Sequence, residues 1–262
     1  MISTHSLPIL IITLTIVSLT AIFLWLYFIS PEIVTDTNLD NSRRRRLQRE
    51  LRRKSFHFIG YIYPVLYYII ISTKMGTKRD VVLLSAIVCV IVQLLELNRV
   101  SGRNPVTALN RNLLRSSEQR ELAAIFYTVL GNMLTILLVS TPSAIIGLTN
   151  AVLGDLTASL VGVTWGRHRL VRKKSIEGSL GCLIVCFLVN LHFLTYFMLF
   201  PITSAMLVAG LTSVTTTLSE LFATDGLLGD NLIIPIFTSV SGDFALKTLL
   251  GIKRPNILSH RF

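Results

Sequence analysis

The chain has 262 residues, of which 52% are hydrophobic and 15% are charged. Soluble domains carry about 25% charged residues, so this composition excludes an ordinary soluble protein and favours an integral membrane protein. The formal net charge of +11 could suit nucleic acid, but the basic residues lie in loops between apolar segments. Because that pattern is typical of membrane topology, no nucleic-acid partner is expected.

Eight apolar segments reach the length that a membrane-crossing helix needs, which is about 17 residues at the least. They cover 7–29, 56–72, 81–97, 122–140, 143–164, 179–199, 203–221 and 231–250. The first is too long for the core of a signal peptide and lacks a basic flank before it. Pro142 and Pro201 follow uncharged stretches too long for one helix, which predicts tight hairpins. The predicted fold class is all-α, a polytopic transmembrane helical bundle of about eight spans.

Lysine and arginine are concentrated in three loops on one side of this predicted bundle. The loop after the first span carries eight of them, and the loops after the third and fifth spans carry five each, or 18 of the 25 in the chain. Because basic loops stay in the cytosol, this side is predicted to be cytosolic and both termini to lie on the opposite side. Most unusual polar residues then converge on the cytosolic end, which indicates a polar site opening to the cytosol.

Asp155 is the first candidate for that site, because 122–166 contains no other lysine, arginine, aspartate or glutamate. A carboxylate in hydrocarbon costs about 2.5–3.5 kcal/mol even on insertion scales, so it needs a partner or a function. Ala158, Ser159 and Gly162 share its helix face at offsets of three, four and seven. Tight helix packing through small residues explains the glycine but not Asp155, which favours a metal or nucleotide-phosphate role.

The second candidate is the cationic start of the second span, with Arg53, Lys54 and His57. Cations at a helix start can hold phosphate oxygens, and an imidazole can carry a proton near neutral pH. The alternative is a topology anchor with an interfacial histidine.

The third candidate is the basic turn that leads into the sixth span. Gly178 and Ser179 could offer backbone N–H groups and a hydroxyl to an anion at a helix N-terminus, and Lys174 would add charge. The alternative is ordinary helix capping, with Ser179 as N-cap and Glu177 as a first-turn acid.

The fourth candidate is acidic, with Glu220 closing the seventh span and Asp230-Asn231 opening the eighth after Asp225. Such acids suit Mg²⁺, which binds one or two carboxylates and completes its shell with phosphates. The alternative is loop solvation with N-capping, which is credible for Asp225.

Two further groups of residues are expected to be structural. Cys89, Cys182 and Cys186 lie in apolar segments without metal-type spacing to histidine, so they are predicted to be small packing residues. Asp243 and Lys247 are four positions apart in the last span, which predicts either a structural ion pair or snorkelling of the side chains towards the interface.

In this order the motifs resemble the membrane-bound CTP-dependent lipid kinases, the family of fungal-type diacylglycerol kinase, dolichol kinase and phytol kinase. The resemblance covers about residues 50–250. Its residues are Arg53-Lys54-Ser55-Phe56-His57, Gly154-Asp155 with Ala158, Ser159 and Gly162, Gly166-Arg167, Lys174-Ser175, Glu177-Gly178-Ser179, Leu218-Ser219-Glu220, and Asp230-Asn231 with Pro235. The chain has Gly229-Asp230 where an aspartate doublet is expected, so two adjacent acids cannot bind metal there.

The resemblance implies transfer of the γ-phosphate of CTP to a lipid hydroxyl with Mg²⁺ or another divalent cation. The implied catalytic residues are Asp155, His57 and Lys174, with His57 or an acid acting on the lipid hydroxyl. The implied phosphate-binding residues are Arg53, Lys54, Arg167, Lys174, Ser175, Gly178 and Ser179. The implied metal ligands are Asp155, Asp230 and Glu220, with Asn231 and Glu177 beside them.

The expected acceptor is diacylglycerol, which would give phosphatidate. The alternatives are a dolichol or polyprenol kinase, a phosphatidate cytidylyltransferase that releases pyrophosphate, and, in a different class, a membrane transporter. The family implies the endoplasmic reticulum, with the active site on the cytosolic face.

The chain is accordingly divided into three parts: an N-terminal membrane anchor and basic linker at 1–54, a catalytic transmembrane domain at 55–250 and a short tail at 251–262. A run of four arginines in the linker indicates a topology signal or a contact with anionic lipid headgroups. The run comprises Arg43, Arg44, Arg45 and Arg46.

Overall fold

The computed structural model describes residues 60–101, 124–171, 174–224 and 229–252. Within these ranges the chain forms seven α-helices. Its β-type pairing is limited to one isolated antiparallel bridge between Arg169 and Ser175. The helices are α1 (Ile62–Ser72), α2 (Lys78–Val100), α3 (Ala124–Leu138), α4 (Thr141–Thr164), α5 (Ile176–His192), α6 (Ile202–Phe222) and α7 (Asp230–Phe244). Helices α5 and α7 continue into π-helical turns at Phe193–Phe197 and Ala245–Leu249.

Five of these helices are long and apolar enough to cross a membrane. Their spans are Lys78–Asn98, Thr141–Thr164, Ile176–Phe197, Ile202–Phe222 and Asp230–Leu249. Helices α1 and α3 are apolar but shorter, with 11 and 15 residues. The all-α prediction is therefore confirmed for the described ranges, and five of the predicted spans are long and apolar enough to cross a membrane. The predicted span 7–29 lies outside them, and the total of eight spans and the side of the termini stay predictions.

Three predicted helix starts were two or three residues late, and one is that of α2, which begins at Lys78 rather than at 81. Helix α4 begins at Thr141 rather than at 143, because Pro142 sits in the first turn, where a missing N–H costs no hydrogen bond. Helix α5 begins at Ile176 rather than at 179, because Ser175 has extended backbone and caps the helix with its side chain.

Helix α4 is the centre of the bundle and contacts α1, α3, α5, α6 and α7. All its residues from Thr141 to Asn150 are buried. Glycines allow the close helix approaches: a Cβ added at Gly147 would lie 2.5 Å from the backbone oxygen of Pro235 in α7. Close packing of small residues stabilises helix association in a bilayer, because the hydrophobic effect does not act between helices that lipid already surrounds.

Buried amides and hydroxyls also join the helices. The Asn150 Nδ2 of α4 donates to Thr216 Oγ1 of α6 over 2.9 Å, and Thr216 Oγ1 lies 2.9 Å from Thr238 Oγ1 of α7. The Asn190 Nδ2 of α5 donates to Thr212 Oγ1 over 3.0 Å. Each such bond contributes about 0.6–2 kcal/mol in a bilayer, so they fix the rotation of α4, α5, α6 and α7.

The bundle has two ends that differ in their chemistry. At one of them, here called the Asp243 end, α3 and α7 finish and α4 begins. The predicted ion pair is confirmed there, with 2.6 Å between Lys247 Nζ and Asp243 Oδ2. Asp243 Oδ1 also accepts the backbone N–H of Ser140 over 2.9 Å, and Lys78 Nζ donates to the backbone oxygen of Val139 over 2.6 Å. These charges therefore satisfy helix termini. The opposite end, where α4 and α6 finish and α5 and α7 begin, is here called the Lys174 end.

Candidate functional site

Asp155 lies in α4 between the middle of the bundle and the Lys174 end, and only 7% of its surface is exposed. Its neighbour Gly154 marks a junction of three helices. A Cβ added at Gly154 would lie 2.9 Å from Thr216 Cγ2 of α6 and 3.2 Å from the Sγ atoms of Cys182 and Cys186 of α5. The backbone next to Asp155 is thus fixed by a close contact of α4 with α5 and α6. Both cysteines are fully buried, so their predicted packing role is confirmed.

The next layer towards the Lys174 end contains the other predicted site residues. Residues three or four apart on a helix lie one above another. This periodicity puts Ala158 of α4, Ser179 of α5 and Glu220 of α6 one turn beyond the Gly154 junction. Among the described residues, the Ser179 hydroxyl is buried and has no hydrogen-bond partner, so the layer holds an unsatisfied polar atom.

Glu220 and Lys174 form an ion pair in this layer. Lys174 Nζ contacts Glu220 Oε1 and also donates to the backbone oxygen of Glu220 over 3.0 Å. The Glu220 side chain is 3% exposed and that of Lys174 is 32% exposed. A buried carboxylate needs a cation, and the last carbonyls of a helix also favour positive charge. The predicted phosphate-binding lysine and the predicted acidic ligand therefore lie together.

A short hairpin between α4 and α5 brings Lys174 to this place. The Leu170 N–H donates to the backbone oxygen of Lys174 over 3.0 Å, and the Ile176 N–H donates to that of His168 over 3.0 Å. Glu177 stabilises the hairpin through two contacts with His168. Its Oε1 lies 2.8 Å from the imidazole Nδ1 and accepts the backbone N–H of His168 over 3.2 Å. Glu177 thus has a structural contact of its own, and His168 is a positioning residue that the sequence motifs did not indicate.

The start of α5 is capped differently from the prediction, because the N-cap is Ser175 and not Ser179. Ser175 Oγ accepts the Gly178 N–H over 3.2 Å, and the Ser175 backbone oxygen accepts the Ser179 N–H over 3.0 Å. These two N–H groups are therefore engaged within the helix rather than directed at an anion. The glycine in this turn is needed for packing, since a Cβ at Gly178 would lie 2.6 Å from the backbone oxygen of Ala158.

Asp230 and Asn231 begin α7 at the same end. Asp230 Oδ1 accepts the N–H of Asn231 over 2.9 Å, which is a helix-start contact. In the described ranges, no three histidine, cysteine, aspartate or glutamate side chains group together as a metal site. Asp155, Glu220 and Asp230 therefore do not make a three-carboxylate cluster by themselves. Binding of Mg²⁺ through one or two of them, completed by phosphates and water, stays a prediction.

Several predicted site residues fall elsewhere. Arg167 is exposed in the hairpin. The others lie outside the described residues; they are Arg43, Arg44, Arg45, Arg46, Arg53, Lys54, His57 and Asp225.

Comparison with known proteins gives two named relatives. The chain is 38% identical over 96 residues to a phytol kinase of Synechocystis sp., which is 36% of this chain and 40% of that protein. It is 27% identical over 199 residues to a dolichol kinase of Saccharomyces cerevisiae, which is 72% of this chain and 36% of that protein. No family model matches, and no solved structure matches. The two relatives confirm the resemblance carried by the motifs: the chain is similar to a phytol kinase and to a dolichol kinase, and it spans less than half the length of either.

Proposed function

We propose that this chain is an integral-membrane lipid kinase that transfers the γ-phosphate of CTP to the hydroxyl of a membrane lipid. The observation that carries the proposal is the position of Asp155 and the Lys174–Glu220 pair. They lie on adjoining layers of one end of a membrane bundle. The names of the two relatives support the same reaction class.

Phosphoryl transfer needs positioning and neutralisation of charge more than covalent chemistry by the protein. A lysine ammonium has three N–H donors. Within the described residues, Lys174 Nζ donates two of its hydrogen bonds to Glu220, one to the carboxylate and one to the backbone oxygen. The remaining donor, on a side chain that is 32% exposed, suits a phosphate oxygen. Glu220 would hold the lysine in place while the nucleotide binds.

Asp155 lies about one helical turn deeper than Glu220, since Gly154 is level with Thr216. A lipid alcohol that reaches this layer from the bilayer would meet the carboxylate before it meets the lysine. Asp155 would there orient the hydroxyl or accept its proton, a task for which His57 is the other candidate.

The donor set fits a magnesium ion. The acids at this end are buried or half-buried, they do not form a closed cluster, and Mg²⁺ takes one or two carboxylates together with substrate phosphates. Asp155 and Asp230 would hold the ion together with the phosphates of the nucleotide, while Glu220 stays paired with Lys174. When bound, the ion would neutralise charge on the phosphates.

The acceptor class follows from the relatives rather than from the motifs. Phytol and dolichol are isoprenoid alcohols with one hydrocarbon chain, so we favour an isoprenoid alcohol over the diacylglycerol that the motifs predicted. The nucleotide would arrive from the cytosol at the basic side of the membrane. The endoplasmic reticulum remains the proposed location.

The position of a radiolabel tests the reaction. Full-length protein in liposomes is incubated with magnesium, an acceptor lipid and CTP labelled at either the α- or the γ-phosphate, using phytol, dolichol, diacylglycerol and phosphatidate in turn. The proposal expects lipid labelled only from γ-labelled CTP, with phytol or dolichol as the better acceptor. Lipid labelled from α-labelled CTP, with phosphatidate as acceptor, would establish the cytidylyltransferase instead. No labelled lipid with any acceptor would contradict both enzyme hypotheses and favour the transporter.

A further inference from the structure

A cavity of about 150 Å³ lies in the seam between α1, α4 and α5. Its walls are mostly apolar, and no lysine, arginine, aspartate or glutamate lines it among the described residues. Tyr68 of α1 closes one side by edge contacts with Phe193 and Phe197, at ring-centroid distances of 6.3 and 5.5 Å. Apart from the His192 imidazole, no lining side chain could carry positive charge to balance a triphosphate, so the mostly apolar walls suit hydrocarbon better than a nucleotide.

The polar side chains of the lining include Thr149 and Tyr61 at the end nearer Asp155, and Asn190 and His192 on α5. Thr149 of α4 and Tyr61, just before α1, both line it, and their side chains are hydrogen-bonded to each other. Thr149 precedes Asp155 by six positions, which is about 9 Å along a helix. The Tyr67 hydroxyl donates to Thr141 Oγ1 over 3.1 Å, so α1 runs antiparallel to α4 and the aromatic wall lies further from Asp155.

We propose that this seam holds the hydrocarbon chain of the acceptor alcohol while its hydroxyl lies at Asp155; this rests on the proposed lipid kinase function. The alcohol passes Thr149 and Tyr61, and the chain then enters the apolar part between α1 and α5. An apolar cavity of about 150 Å³ accommodates a benzene-sized group, so one branched segment of the chain fits inside and the rest extends into the bilayer. The seam would therefore discriminate between long and short alcohols.

Filling the cavity tests the proposal. Val65 of α1 and Val189 of α5 both line it, and each is replaced by tryptophan (Val65→Trp, Val189→Trp). The matched controls are Leu66→Trp and Leu188→Trp, at adjacent positions that are 49% and 56% exposed on the outer surface. Each variant of the full-length protein is assayed with phytol and with a five-carbon prenyl alcohol.

The proposal expects the two filling variants to raise KM for phytol by at least about tenfold, the effect of losing two buried methylenes. Their kcat/KM for the short alcohol should stay within about twofold of the parent, because that alcohol does not reach the cavity. The control variants should match the parent on both alcohols. Equal losses on both alcohols, or no change on either, would overturn the proposal.

A binding experiment separates this proposal from the kinase proposal. Phytol carrying a photoreactive group near its branched end is irradiated with the parent protein without nucleotide, and labelled peptides are sequenced. The proposal expects labelling of α1 and α5 that is suppressed by unlabelled phytol but not by excess phosphatidylcholine. This result would support binding of the alcohol in the seam even if no phosphate is transferred. Suppression by phosphatidylcholine would identify an ordinary bilayer lipid as the occupant and overturn the proposal. Phosphorylation of phytol without labelling of the seam would also overturn it, while leaving the kinase intact.

Discussion

Glu220 and Lys174 show how a helical bundle stabilises two charges at one of its ends. The carboxylate is almost completely buried, and the lysine satisfies both this carboxylate and the end of α6. Removal of one member of such a pair leaves an uncompensated charge, whereas removal of both does not. The pair therefore allows stability and activity to be measured separately.

We expect Lys174→Met to destabilise the folded protein by about 1–3 kcal/mol, because Glu220 then remains buried without its cation. The double variant Lys174→Met with Glu220→Gln should recover most of that stability and none of the lipid phosphorylation. Thermal unfolding in detergent gives the first quantity, and transfer of label from γ-labelled CTP gives the second. Recovery of activity in the double variant would show that the pair serves the fold alone.

The contact between α4 and α5 depends on a glycine at one position. A Cβ at Gly178 would lie 2.6 Å from the Ala158 backbone oxygen, and backbone cannot turn aside as a flexible side chain can. Gly178→Ala should therefore lower stability by about 1–3 kcal/mol, by overpacking. Gly210→Ala in α6 is the matched control, since a Cβ there meets nothing within 4 Å.

The control should gain about 0.5–1 kcal/mol, because alanine is the better helix residue. Both variants are compared by thermal unfolding in the same detergent. If the two variants have the same melting temperature, the close approach of α4 and α5 is not as described.

The helices themselves were predictable because each is a predominantly apolar segment, as 143–164 is for α4 with Asp155 as its one charged residue. Their exact starts were not, because they depend on whether Pro142 and Ser175 join a helix or cap it. Asp155 was predictable from its isolation in an apolar stretch. Its surroundings were not, because Lys174 and Glu220 are 46 residues apart and meet only through the hairpin before α5.

The two ends of the bundle differ in a way that bears on the whole molecule. At the Asp243 end, the charges of Asp243, Lys247 and Lys78 contact helix termini or one another. In the described part of the chain these charges therefore have a structural role. A transporter, in contrast, needs polar groups that line a path from one side of the membrane to the other. The predicted site residues that the structure describes lie on the Lys174 side of the bundle, which agrees with the proposed use of a nucleotide from one side of the membrane.

The orientation of the bundle is testable by thiol labelling. The native cysteines Cys89, Cys182 and Cys186 are buried, so the parent protein should react little with a membrane-impermeant maleimide. We expect Leu170→Cys, in the hairpin of the Lys174 end, to react from the cytosolic side of sealed vesicles, because its loop is basic. Met75→Cys, at a position that is 78% exposed near the opposite end, should react only from the other side. The reverse pattern would place the candidate site away from cytosolic nucleotide.

The most direct test of the proposed site replaces one oxygen of Asp155. Asp155→Asn and its control Asp80→Asn, which makes the same chemical change at an exposed acid on α2, are reconstituted with phytol or dolichol and γ-labelled CTP. We expect Asp155→Asn to insert and unfold like the parent and to lose lipid phosphorylation by at least about a hundredfold, as when one positioned charge is removed from an active site. Asp80→Asn should keep the parent rate. Full phosphorylation by Asp155→Asn would show that the buried aspartate takes no part in the reaction.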